Sequence, residues 1–334
     1  MKIAVDVMSG ENEPEVLIKG ALQAVDESDV EIILVGDEGR IYSELKKHKD
    51  KGNQVSVVHS SEVILMNETP AKACRKKPDA SVMVASQLVA KKKADGFFSP
   101  GNTGATITAS LLNIKRVQGV SRPAIAIMVP TAKGHTLLLD AGANVDSTPK
   151  NIVQFAIMGD VFMKHIVGVN EPKVALLNIG EEDKKGNELS LKAYELLKTV
   201  DFNFVGNIEG HDVYEGNVDV IVCDGFIGNI VLKLSEGLGD VMMRLIKNEI
   251  IRNFSSRFGA FMARGAFRNV KNRLSAETYG GAPLLGINGC AIVGHGNTGA
   301  IATKNGIHTA VKMVKANINQ LIKENTKRFM EDAE

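Results

Sequence analysis

Short β-branched runs alternate with helix-patterned stretches almost from end to end of this 334-residue chain, and that alternation limits the fold more than any single motif. Runs at 2–7, 31–35, 54–58, 96–99, 124–128, 136–140, 173–178, 203–205, 218–223 and 291–293 read as strands. Between them, 16–25, 81–90, 106–114, 151–165 and 188–200 carry apolar residues at helical spacing, and a long helix is expected from Asn229. Ile307, Val311, Val314, Ile318 and Leu321 step by four and three, which predicts one C-terminal helix with one apolar face. Such alternation predicts an α/β fold in three layers, a mostly parallel sheet covered by helices on both faces. In folds of this kind ligands sit in the loops beyond the carboxyl ends of the strands. No low-complexity linker or long-period repeat divides the chain, so 1–334 reads as a single α/β unit, of one body or two fused lobes.

Composition excludes several classes of function. A net charge of +1 gives no reason to expect nucleic acid as a partner. Cys74, Cys223 and Cys290 stand far apart without CxxC spacing and suit a reducing compartment better than a disulfide framework. The opening MKIAVDVMSG is a short apolar run broken by Asp6, which reads as a first strand rather than a signal peptide. No apolar stretch approaches the roughly 20 residues that span a bilayer, so a cytoplasmic protein is expected. The seven histidines are scattered and HExxH, Walker A and GxSxG patterns are absent, so no metal site is expected. His135 and His295 lie beside strands, where a histidine is more often structural than a base.

Five polar, glycine-rich loops follow apolar strands. In the first, SPGNTGA, Asn102 and Thr103 are placed to cap a helix whose free N–H groups, with that of Gly104, form an anion site; a plain cap is the alternative. The second, DAGANVD, brings Asp140, Asn144 and Asp146 to a strand end, either to orient a ligand or as a hydrogen-bonded turn. The third packs Lys184 and Lys185 among Glu181, Glu182 and Asp183, just before Gly186 and Asn187. A solvated charge run is the usual explanation, but a lysine at a strand end suits phosphate as a point charge. The fourth, DGFIGN, runs from Asp224 to Asn229, which is placed either as a helix cap or to donate to a developing oxyanion. The fifth, GHGNTGA, spells GxGxxG between strand and helix, yet no second strand follows to carry the ribose-binding acid of a dinucleotide fold.

Residues 245–275 stand apart as a basic apolar segment, read as a helical hairpin bent at Gly259 and Gly265. From Lys247 to Arg273 there are seven basic residues against one acid, Glu249, with Phe254, Phe258 and Phe261 at helical spacing. Arg252, Arg257, Arg264 and Arg268 beside these rings suit an anionic membrane surface or an acidic partner. A buried helix at a dimer interface, its arginines snorkelling, is the alternative.

Taken together, AVDVMSGE, SPGNTGA, LLLDAGANVD, NIGEEDKKGNEL, DGFIGN and YGGAPLLG followed by HG mark a family. The chain resembles the acyl-ACP:phosphate acyltransferases of bacterial phospholipid synthesis (the PlsX family) over nearly its whole length. It departs from the usual DAMGGD at Val7, Ser9 and Glu11, and carries Asn297-Thr298 where serine tends to follow His295-Gly296. The resemblance implies the fold of the isocitrate and isopropylmalate dehydrogenases and of phosphotransacetylase, a homodimer, and peripheral membrane association through the basic segment. It implies transfer of a long-chain acyl group from acyl carrier protein to inorganic phosphate, with no cofactor. Phosphate is its own nucleophile and a thiolate leaves readily, so the site must position the reactants and stabilise an oxyanion. On this reading Lys184 and the Asn102–Gly104 backbone hold phosphate and Asn229 the oxyanion or phosphate. Lys185, Asn187 and His295 are secondary candidates, with Asp140, Asn144 and Asp224 shaping the substrate loops. The rivals are a phosphotransacetylase-like enzyme using coenzyme A, and a non-catalytic membrane or carrier-protein scaffold.

Overall fold

The computed structural model describes residues 1–274 and 280–332. In chain order the elements are β1 (Lys2–Asp6), α1 (Pro14–Glu27), β2 (Glu31–Gly36), α2 (Glu38–Leu45), β3 (Val55–His59), α3 (Pro70–Lys76), α4 (Ser81–Ala90), β4 (Gly96–Pro100) and α5 (Thr103–Ala109). There follow β5 (Ala124–Ile125), β6 (Ile127–Thr131), β7 (Gly134–Leu139), α6 (Pro149–Phe162), β8 (Val174–Leu177), α7 (Glu188–Leu197), β9 (Phe204–Ile208) and β10 (Val220–Val222). The rest are α8 (Gly225–Arg252), α9 (Phe254–Met262), α10 (Arg264–Leu274), β11 (Ala282–Leu285), β12 (Ala291–Gly294), α11 (Ala300–Lys315) and α12 (Ile318–Asp332).

The strands form two sheets. One has the order β3-β2-β1-β4-β12-β11-β5, parallel from β3 to β12. The other has the order β6-β7-β10-β8-β9, parallel from β7 to β9. The inner parallel strands are nearly continuous apolar runs, as strands covered on both faces must be, and all five residues of β4 are buried; the edge strands β3 and β9 are partly exposed. The expected strand 124–128 is in fact where the chain changes sheets. β5 pairs antiparallel with β11, β6 pairs antiparallel with β7, and Ala126 between them donates its N–H to Pro283 O at 3.0 Å. The largest apolar cluster draws on both sheets and on α1, α6, α11 and α12, with Ile3, Phe98, Leu137, Phe155 and Val220 fully buried.

Three expectations are corrected. The C-terminal helix is two helices, because Asn317 takes a left-handed conformation (φ 49°) that asparagine tolerates better than most residues. Its apolar face survives the break, since Ile307 and Ile318 both reach the main core. The basic segment turns at Asn253 and Ala263, while Gly259 lies inside α9 and Gly265 inside α10. Ser275, the last residue of that segment, and Tyr279 of YGGAPLLG lie outside the described residues. Finally, the long helix starts at Gly225, four residues before Asn229, with Asp224 as its cap.

Candidate functional site

The glycine-rich loops gather beyond the carboxyl ends of adjacent parallel strands. In the first sheet they follow β1, β4 and β12. Asp6, fully buried at the end of β1, accepts the N–H groups of Met8 and Ser9 on Oδ1 (both 3.1 Å) and the Ser99 hydroxyl on Oδ2 (2.7 Å). That carboxylate ties the loop after β1 to β4. Glu11 N–H then donates to Gly296 O at 2.7 Å, closing the loop after β12 onto the loop after β1. The approach is too close for side chains: a Cβ on Gly10 would lie 2.9 Å from Gly296 O, and Gly10 already holds φ 100°.

Asn102 caps α5, its Oδ1 accepting Ala105 N–H at 3.0 Å. Its amide nitrogen is equally committed, donating to Leu65 O (3.1 Å) and Glu68 O (3.1 Å), with Met66 O at 3.4 Å. The Asn102 side chain therefore braces a neighbouring turn. Thr103 and Gly104 follow it at the helix start, where N–H groups have no intrahelical partner. Gly104 packs on α3, and a Cβ there would meet Pro70 Cγ at 2.5 Å. His295 is exposed, and its Nδ1 accepts Asn297 N–H at 3.1 Å.

In the second sheet the loops follow β7, β10 and β8, three neighbouring parallel strands. Asp140 is fully buried and accepts four donors. Oδ1 takes Ile125 N–H (2.9 Å) and Ala143 N–H (3.1 Å); Oδ2 takes Asn144 N–H (2.7 Å) and Asn144 Nδ2 (2.9 Å). Asn144 also donates to Pro123 O at 2.7 Å. These two residues form the hydrogen-bonded turn, while Asp146 is exposed and takes no part in it. Burial pushes the Asp140 carboxyl above the ordinary aspartate range, against the opposing pull of the N–H donors.

The start of α8 is seated on this turn. Asp224 accepts Ile227 N–H at 3.0 Å and Gly225 N–H donates to Asn144 O at 2.9 Å. Asn229 is exposed one turn into the helix, its side chain beside Gly142, 3.3–3.5 Å from where a Cβ of that glycine would stand. After β8, Asn178 donates to Lys185 O (2.9 Å) and Asn187 caps α7 by accepting Ser190 N–H (2.9 Å). Of the three acids in that loop, Asp183 is held by the Tyr194 hydroxyl at 2.6 Å. Lys184 and Lys185 are exposed, and neither forms an ion pair among the described residues.

No ready thiolate is available. Cys74, Cys223 and Cys290 are buried, and burial raises all three thiols, that of Cys290 to about 12. Among the described residues no cluster of three or more metal-binding side chains occurs. Among the described residues Gly299 is followed by two helices and by no strand that could carry a dinucleotide-binding acid.

This arrangement has a clear parentage. The model for the family described as "Fatty acid synthesis protein" matches residues 1–321. The chain belongs to that family. It is 45% identical over 324 residues to the phosphate acyltransferase of Geobacter sulfurreducens, covering 97% of this chain and 94% of that one. It is 47% identical over 327 residues to the phosphate acyltransferase of Leptospira biflexa, covering 97% and 96%. In fold it is similar to a phosphotransacetylase from Streptococcus pyogenes (TM-score 0.63, 18% identity, 95% and 94% covered). A 4-hydroxythreonine-4-phosphate dehydrogenase from Klebsiella pneumoniae is similar too (TM-score 0.53, 14% identity, 94% and 99% covered). For this family member, then, the candidates not committed to caps or turns are Lys184, Lys185, Asn229, the exposed His295, and the N–H groups of Thr103 and Gly104. Asn102, Asp140, Asn144, Asn187 and Asp224 have side chains engaged in caps and turns. Asp6 and Ser99 were not legible as site residues; a lone acid at the end of the first apolar run was the available signal.

The basic segment is separate from these loops. α8 is buried only at Gly225 and Gly228, and Phe254, Phe258, Phe261 and Met262 of α9 are all exposed. Arg252 pairs with Glu249 at 2.9 Å, Arg257 donates to Ile251 O, and the Arg264 guanidinium lies 4.8 Å from the Phe261 ring centroid. Arg268 is exposed on α10. No described helix is long and apolar enough to cross a membrane.

Proposed function

We propose that this family member is a phosphate acyltransferase whose donor is a long-chain acyl group on acyl carrier protein. Inorganic phosphate is the acceptor and acyl phosphate for phospholipid synthesis is the product. A phosphate oxygen attacks the thioester carbonyl carbon, the C–S bond breaks, and the carrier leaves as a thiolate that takes up a proton. No protein nucleophile is needed, consistent with three buried, raised-pKa thiols. The observation that carries the assignment to this site is the lysine pair after β8. Lys184 and Lys185 are exposed at a strand end and form no ion pair among the described residues, so their charge is free to meet an anion. We assign Lys184 and the N–H groups of Thr103 and Gly104 to phosphate, and Asn229 to the oxyanion or phosphate. Lys185 and His295 are supporting groups.

Two further readings belong with this one. The apolar side chains Ile230, Leu234, Leu238, Val241 and Leu245 recur at three- and four-residue steps along α8 and are all exposed. We assign that stripe to a homodimer interface. The exposed phenylalanines and arginines of α9 and α10 suit peripheral contact of a cytoplasmic protein with anionic lipid.

The test is release of free carrier thiol from palmitoyl-ACP with and without phosphate, trapping product with hydroxylamine. Phosphate-dependent release with hydroxamate formation is expected. Turnover of acyl-CoA alone would move the donor to coenzyme A, and liposome binding with no thiol release would leave only a scaffold. Lys184→Ala is expected to lower turnover by about 100- to 1,000-fold, the cost of losing one charge-stabilising donor. Near-native turnover and phosphate affinity in that variant would remove Lys184 from the site.

A further inference from the structure

The turn that Asn102 braces has a feature the anion loops do not explain. It presents Leu65 (57% exposed) and Met66 (49% exposed) to solvent. Single exposed apolar residues are ordinary. What is unusual is the polar framework that holds these two outward. Asn102 donates to the carbonyls of Leu65 and Glu68. The Glu68 carboxylate accepts Leu65 N–H at 2.8 Å and the Lys77 ammonium at 2.7 Å, and Lys77 also donates to Val63 O at 2.8 Å. Glu68 N–H closes the turn on Leu65 O at 3.2 Å. Six hydrogen bonds thus fix the backbone of a turn whose apolar side chains gain nothing from the core.

The turn is continuous with the candidate site. The residue that caps α5, at the phosphate loop, is the one that positions it. On the other side, the Met66 methyl lies 3.4 Å from where a Cβ of Gly296 would stand, beside the Glu11 carboxylate. Met66 therefore stands against the loops after β1 and β12, and Asn102 ties the backbone of its neighbour Leu65 to the loop after β4. We propose that Leu65 and Met66 seat the hydrocarbon chain of the acyl donor as it leaves the thioester, and so set the dependence of the reaction on chain length. This rests on the acyltransfer reading and deepens it. Phosphate and the acyl chain demand opposite surroundings, and Asn102 joins the two by capping one loop while bracing the other. A turn pinned before binding also spares the donor the entropy of ordering its own seat.

The experiment compares even-chain donors from butyryl-ACP to palmitoyl-ACP in the wild type, in Leu65→Ser/Met66→Ser and in Leu65→Ile/Met66→Leu. The serine pair is expected to flatten the rise of kcat/KM with chain length, costing palmitoyl-ACP about 10-fold relative to the shortest donor, the discrimination that an apolar contact of a methylene or two provides. The Ile/Leu pair should keep the wild-type slope. Parallel plots, whether from uniform loss or from no loss, overturn the assignment. Parallel plots accompanied by altered sedimentation would give the pair to a contact between copies of the chain and overturn it as well. Wild-type protein inactive with every donor would instead overturn the acyltransfer reading, and this inference with it.

Discussion

Asp140→Asn tests whether the Asp140 turn holds the site together. The substitution is nearly isosteric, so its effect comes from exchanging one acceptor oxygen for an NH2 group. In the native chain each carboxylate oxygen accepts two donors: Ile125 and Ala143 N–H on one, Asn144 N–H and Asn144 Nδ2 on the other. Whichever way an asparagine amide is turned, its NH2 faces two N–H donors, and no flip relieves the conflict. Two buried donors left without acceptors cost about 2–6 kcal/mol together, at ~1–3 kcal/mol each. Working against this, the change removes a buried charge, whose desolvation already raises the Asp140 pKa. The donors should win, because water cannot reach them at a fully buried site and the backbone that carries them is fixed by β5 and α8. A net loss of at least ~2 kcal/mol is expected, a large share of the ~5–15 kcal/mol that holds a typical domain. Equilibrium unfolding in urea would read it as a lower midpoint at unchanged slope. The same variant should lose phosphate-dependent thiol release, since Gly142 and the start of α8 are positioned by this turn. A midpoint equal to that of the wild type would refute the reasoning.

Three other outcomes follow from packing and charge. Gly228→Ala places a Cβ 1.9 Å from Asp140 O, and should cost roughly 1–3 kcal/mol or more as overpacking, read by the same unfolding assay. The Lys77 ammonium, then Leu65 N–H, hold the Glu68 carboxyl below the usual glutamate range, so its contribution is present above the ordinary glutamate pKa and is lost as pH falls through the lowered one. The stability gap between wild type and Glu68→Gln should therefore narrow on acidification through that window; a gap that widens would reverse the sign. Leu234→Asp/Leu238→Asp puts two charges on the α8 stripe (70% and 58% exposed) and should convert the proposed homodimer to monomer in sedimentation velocity; an unchanged sedimentation coefficient would remove the stripe from that interface.

The fold class was legible because parallel strands covered on both faces are apolar throughout, and runs such as 96–99 and 136–140 stand out against their surroundings. The change of sheet at Ala126 was not legible, since residues on both sides are equally apolar and nothing punctuates the run. β11 was missed because Pro283 argues against a strand, yet its carbonyl is the group that Ala126 needs. The start of α8 was read four residues late because Gly225 and Gly228 are poor helix formers. Their presence has a tertiary cause: a Cβ on Gly225 would lie 2.4 Å from Asn144 O, and Gly228 rides against the Asp140 carbonyl. In the site, the caps were visible in the motifs, but the partners of Asn102 lie 34–37 residues upstream, where no local pattern points to them.

The polar residues that make the motifs conspicuous are spent on structure: Asp6 joins two loops, Asp140 organises a third, and Asn102, Asn187 and Asp224 cap helices. A reaction whose nucleophile is phosphate and whose leaving group is a thiolate asks for little acid–base chemistry, and much for fixed geometry. Buried carboxylates that accept only N–H and O–H donors supply that geometry at low reorganisation cost. The groups that remain exposed or unpaired are few: Lys184, Lys185, Asn229, His295 and the first N–H groups of α5. On the proposed mechanism the frame and the reagents are therefore different residues, and substitution should separate them. Changing Lys184 should lower turnover in a protein that unfolds like the wild type, whereas changing Asp140 should lower turnover and stability together.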